Sequence, residues 1–129
     1  MALYAATKHA VEGYSESLDH ELRTMGIRVS TVQPAYTKTG FDSNLLEPDA
    51  KLDEYSKIRL ALDKRVKELV AGGDEPTLVA NTVVKAVNAN NPKISYTAGS
   101  LAFQLKFLRR FAPDFLLDKG LRNDLQLDV

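Results

Sequence analysis

The chain contains no cysteine, so disulfides and thiolate metal sites are excluded, a pattern that suits a reducing compartment. Histidine occurs only at His9 and His20, too few for a His-based metal site, and both read as helix-surface residues. Neither sign of charge is in excess. The 17 Lys and Arg balance the 17 Asp and Glu, which leaves no overall electrostatic footprint for nucleic acid. No apolar run reaches the roughly 18 residues of a membrane span and no signal-peptide pattern appears, so a soluble, cytoplasmic protein is predicted. Internal repeats and low-complexity stretches are missing too. What remains is ordinary globular composition, 44% hydrophobic and 26% charged over 129 residues, enough for one domain with one core.

Periodicity organises that domain. Leu3, Ala10, Val11, Tyr14, Leu18, Leu22 and Met25 recur at helical spacing, which predicts a helix over Tyr4 to Met25 stopped by Gly26. Gly13 weakens that helix by about 1 kcal/mol relative to Ala, a cost consistent with another backbone approaching closely. Ile27 to Pro34, "IRVSTVQP", alternates and is rich in β-branched residues, the pattern of a strand that Pro34 ends. A Gly-, Asp- and Ser-rich loop follows. A second helix is expected over Asp49 to Val70, with Leu52, Tyr55, Leu62, Val66 and Leu69 on one face. After "GGDEP", Asp74 is placed to cap a third helix from Glu75 to Asn88. Lys93 to Gly99 reads as a second strand, and Ser100 to Leu127 as a helical tail interrupted at Pro113 and Gly120. Strands alternating with helices predict an α/β fold with a parallel sheet, although two strands make only part of such a sheet.

One pair carries chemistry. Tyr4 and Lys8 are four apart on the first helix, so they share a face. A phenol is a weak acid at neutral pH, and a neighbouring cation and the positive end of a helix both favour its phenolate. The pair therefore suits a general acid/base acting on a hydroxyl proton. A Tyr-x-x-x-Lys spacing alone is also satisfied by a surface tyrosine beside a solvated lysine.

The surroundings narrow that choice. "YAATKHAVEGYSESLDHEL" followed by "GIRVSTVQPAYTKTGF" resembles the active-site helix and next strand of the short-chain dehydrogenase/reductase family, over most of Met1 to Phe41 and more loosely through "DEPTLVANTVVKAV". The resemblance implies the C-terminal part of a doubly wound, Rossmann-like domain. It divides the chain into an active-site helix, strand and cofactor loop (1–41), a substrate-binding excursion (42–73) and closing helices with a strand (74–129). It further implies an oxidoreductase that moves hydride between NAD or NADP and an alcohol or carbonyl substrate. Tyr4 would be the acid/base, and Lys8 would hold the nicotinamide ribose hydroxyls. Pro34, Thr37 and Thr39 match the family's loop beside the nicotinamide, with Ala35 where glycine is common.

Other family features have no counterpart. No glycine-rich turn for a pyrophosphate is present. The family's serine and asparagine would precede Met1, and Ser15 and Ser17 lie on the wrong side of Tyr4. The chain thus reads as a fragment that does not bind NAD(H) or NADP(H) by itself. In the excursion Leu45, Leu46, Tyr55 and Leu62 are pocket candidates, though plain packing is the expectation for each. The tail "LAFQLKFLRRFAPDFLL" has the composition of an interfacial membrane helix, but packing on a substrate pocket or partner subunit is the expectation, with homo-oligomerisation in the complete protein. The competing reading is a truncated chain that acts only by association.

Overall fold

In a computed structural model the described residues are 2–41, 44 and 49–127. In order they form α1 (Ala2–Leu22), β1 (Thr31–Pro34), α2 (Ser56–Ala71), α3 (Pro76–Val87), β2 (Ser95–Ala98), α4 (Ser100–Phe111) and α5 (Asp114–Asp124), with short 3₁₀ turns at Arg23–Met25 and Asp53–Tyr55. The chain divides into two compact units, 1–34 with 77–98 and 35–76 with 99–129. This is a helix-rich α/β arrangement with a parallel strand pair, part of a Rossmann-like fold.

In the first unit β1 and β2 run parallel, with Thr31 opposite Ser95, Val32 opposite Tyr96, Gln33 opposite Thr97 and Pro34 opposite Ala98. The N–H of Thr31 donates to the Ile94 carbonyl at 2.9 Å and Ser30 Oγ to the Lys93 carbonyl at 2.7 Å, which fixes the register before the ladder begins. Tyr96 and Ala98 are buried, while Ser95 and Thr97 on the alternate face are half-covered. The Tyr96 hydroxyl accepts the Lys93 N–H at 2.9 Å, so the buried phenol has a partner. Pro34, which has no N–H to offer a ladder, closes β1 as the sequence predicts.

Gly26 stops the first helix by adopting φ 76°, where its N–H reaches the Arg23 carbonyl and the Ile27 N–H reaches Leu22. The covered side of α1 is Ser15, Leu18, Asp19 and Leu22, in its C-terminal half. Leu3, Val11 and Tyr14, expected on the apolar face, are exposed, and a Cβ on Gly13 would meet nothing within 4 Å. No backbone within the described structure exploits that glycine.

In the second unit, α2 begins seven residues later than the periodicity predicts, because Asp53–Tyr55 closes as a tighter turn ahead of it. Ala61, Leu62, Arg65, Val66, Leu69 and Val70 form its partly covered side. Arg65 reaches Asp124 at the end of α5, with Nε on the carbonyl at 2.8 Å and Nη2 on the carboxylate at 2.7 Å. Pro113 separates α4 from α5 as expected. Gly120 does not interrupt α5, whose helix continues to Asp124. Leu45 and Leu46 lie outside the described residues.

Candidate active site

Tyr4 is the third residue of α1 and Lys8 sits one turn later. Lys8 Nζ is 5.4 Å from the centroid of the Tyr4 ring, a cation over an aromatic face. Tyr4 is 45% exposed, so a ligand can approach the pair from solvent. The helix around them is reinforced locally. Thr7 Oγ1 donates to the Tyr4 carbonyl at 2.8 Å, and His9 Nδ1 lies 2.9 Å from the Ala5 carbonyl on the helix surface. The i, i+4 spacing therefore brings together the two side chains it was expected to bring together.

What holds this helix is a buried carboxylate that periodicity did not single out. Asp19 is fully buried and accepts four hydrogen bonds. Arg28 supplies Nε at 2.8 Å and Nη2 at 3.4 Å, Arg23 donates from the next turn, and the Val29 N–H donates at 2.9 Å. The Arg28 and Arg23 guanidinium groups, with the Val29 N–H, hold its carboxyl well below the usual carboxylate range, against the opposing effect of burial. The same contact raises the Arg28 guanidinium. Asp19 thus ties the C-terminal half of α1 to the residues that lead into β1. The local signal was readable as Asp19 and Arg23 four apart. The Arg28 partner, nine residues on, required the fold.

Pro34 ends β1 in the same unit as Tyr4 and Lys8, whereas Thr37 and Thr39 belong to the second unit. There the loop that carries Thr37 is laced to the segment before α3. The Asp74 N–H donates to the Tyr36 carbonyl at 2.9 Å, the Lys38 N–H donates to the Asp74 carbonyl at 3.0 Å, and Lys38 Nζ meets Glu75 at 2.7 Å. Asp74 was expected to cap the third helix. The helix begins at Pro76, whose fixed φ suits a first helical position, so Glu75 and not Asp74 precedes it, and the Asp74 backbone bridges this loop. Gly73 permits the approach, because a Cβ there would sit 2.6 Å from the Tyr36 carbonyl oxygen. Thr37 Oγ1 lies 3.4 Å from the Ala35 carbonyl, and Thr39 Oγ1 accepts the Phe41 N–H at 3.4 Å. A cavity of about 220 Å³ adjoins the loop, lined by Tyr36, Leu69, Gly73, Asp74 and Leu101 among others. Burial, reinforced by the Asp124 carboxylate, pushes the Tyr36 phenol above its ordinary value, and Arg65 opposes it. No described helix is long and apolar enough to cross a membrane.

Comparison with known proteins agrees with this architecture. A family model described as short chain dehydrogenase matches residues 1–50, the span that holds α1, β1 and the following loop. The chain belongs to the short-chain dehydrogenase/reductase family. Among short-chain dehydrogenase/reductase relatives, a 3-ketodihydrosphingosine reductase of Bacteroides thetaiotaomicron is 32% identical over 92% of this chain and 45% of its own length. An NADPH-dependent 3-dehydrocapnine reductase of Ornithobacterium rhinotracheale is 32% identical over 95% of the chain and 44% of its own. Human retinol dehydrogenase 16 is 30% identical over 89% and 40% respectively. The chain spans less than half the length of these curated relatives.

Proposed function

We propose that the chain carries the proton-transfer part of an NAD(P)-dependent oxidoreductase that interconverts an alcohol and a ketone or aldehyde. The observation that carries this reading is Lys8 Nζ over the Tyr4 ring on an exposed face of a clamped helix, within the stretch that matches the family. Tyr4 delivers a proton to the carbonyl oxygen in reduction and accepts it from the hydroxyl in oxidation. Lys8 stabilises the phenolate left behind.

The donor chemistry of these residues fits the nicotinamide-ribose end of a dinucleotide. An ammonium offers three N–H donors, which suits a pair of adjacent sugar hydroxyls. When bound, the nicotinamide supplies or accepts the hydride. Lys8 holds the ribose, and Pro34, Thr37 and Thr39 belong to the nicotinamide-facing loop. The backbone lacing through Tyr36, Gly73 and Asp74 supports a fixed position for Thr37. The seven glycines include no Gly-x-Gly-x-x-Gly, so the residues of this chain do not fit the pyrophosphate.

Two relatives are named as reductases of 3-keto or 3-dehydro compounds and a third as a retinol dehydrogenase. From these names, a bulky apolar ketone or alcohol is the substrate class, with NADPH as the first cofactor to test. Reduction of 3-ketodihydrosphingosine and of retinal by the full-length protein, followed by loss of nicotinamide absorbance, tests the reading. Turnover of such a carbonyl supports it, and retention of that turnover in Tyr4→Phe contradicts it.

A further inference from the structure

Helix α4, "SLAFQLKFLRRF", carries Lys106, Arg109 and Arg110 and no carboxylate, in a chain whose charges balance as a whole. At about 100° per residue, the three cations occupy one contiguous arc of the helix. Phe103, Phe107, Phe111, Leu108, Leu101 and Leu105 fill the remainder, broken only by Ser100 and Gln104. The structure ends this helix at Ala112, so the segregation belongs to α4 alone and is blurred when the whole tail is read as one periodic stretch.

The apolar arc faces outward. Ala102, which lies within the cationic arc, is the buried residue of α4, and helical geometry puts Phe111 on the side opposite it. Phe103, Phe107 and Phe111 are 61%, 55% and 64% exposed. The Phe107 and Phe111 rings lie 4.6 Å apart, and the Arg110 guanidinium is 5.8 Å from the Phe111 ring. Beyond the Pro113 break, α5 adds exposed Phe115 and Leu116. A run of exposed rings of this size marks an interaction surface.

We propose that α4 docks this face on an anionic lipid surface, lying in the interface rather than crossing it. The charge composition selects the occupant, because a helix with three cations and no acid complements a negatively charged surface. A lipid interface accepts this apolar face while the cations at its margins, Arg109 and Arg110, reach the headgroups. At 12 residues and about 18 Å, α4 is too short to span a bilayer but long enough to lie along one.

The chain has no tryptophan, so Phe107→Trp places a single reporter in the stripe. Vesicles of phosphatidylcholine with about one-third phosphatidylserine are added to the full chain. Co-sedimentation and a blue shift of the indole emission are expected, both weakened in 1 M NaCl, where the Debye length falls to about 3 Å. Arg109→Gln with Arg110→Gln should weaken partitioning by about 25-fold, roughly fivefold per cation. Phe103→Ser with Phe111→Ser should abolish it with the helical circular dichroism unchanged. An unshifted indole emission, or equal sedimentation of the charge variant, overturns the proposal. So does light scattering in which the serine variant turns an oligomer into a monomer without any vesicle binding, which would make α4 a protein interface. Tyr4→Phe should bind vesicles like the parent chain, so the outcome is independent of the redox reading.

Discussion

Asp19 shows how one buried residue anchors the helix that carries Tyr4 and Lys8. Its carboxyl is depressed in the folded chain by Arg28, Arg23 and the Val29 N–H. A depressed folded pKa contributes stability that is fully present above the ordinary carboxylate value of about 3.9 and is lost as pH falls through the folded value. Thermal unfolding should therefore be insensitive to this group near neutrality and lose stability below about pH 5. Asp19→Asn should lower Tm at pH 7 and flatten that acid slope. An unchanged acid slope in the variant would place the titrating group elsewhere. Tyr96 makes a smaller contribution, since Tyr96→Phe removes the acceptor of the Lys93 N–H and should cost about 1 kcal/mol in denaturant unfolding.

At the scale of elements, what was legible in the sequence was what is local. Tyr4 and Lys8 meet because four residues make about one helical turn, Gly26 ends α1 because it can adopt φ 76°, and Pro113 separates two helices because proline cannot continue one. The rest depended on partners distant in sequence. Asp74 has the chemistry of a cap, but α3 starts at Pro76 and leaves Asp74 one residue short of the capping position, while its backbone pairs with Tyr36 and Lys38 from more than thirty residues away. Gly120 has a low intrinsic preference for helix, yet α5 continues through it to Asp124, which Arg65 of α2 anchors. Leu3, Val11 and Tyr14 follow helical spacing without being covered, whereas Leu18 and Leu22 of the same set are partly covered, so periodicity located the helix and its covered side only in the C-terminal half. The Gly73 approach yields a test of its own. Gly73→Ala puts a Cβ against the Tyr36 carbonyl and should destabilise by about 1–3 kcal/mol in equilibrium denaturation. A neutral effect would show that the loop before Asp74 moves freely.

At the scale of the whole molecule, the chain spans 40–45% of the length of the three relatives compared, and its recognisable chemistry is concentrated in residues 1–50. That stretch holds Tyr4 and Lys8, the proposed acid/base pair, with the Asp19 clamp behind them and the strand that follows. A polypeptide of these 129 residues, without a glycine-rich phosphate turn, should show no saturable NADH or NADPH binding by fluorescence titration. Saturable binding would reveal a phosphate site unlike that of the dinucleotide fold. The proposed redox function turns on Tyr4. Its most direct test compares the full-length protein with its Tyr4→Phe variant for NADPH affinity and for turnover of a bulky apolar ketone. Loss of the phenol should lower kcat by about 10²–10⁴-fold with the affinity for NADPH nearly unchanged. Equal turnover, or parallel loss of turnover and NADPH binding, would contradict it.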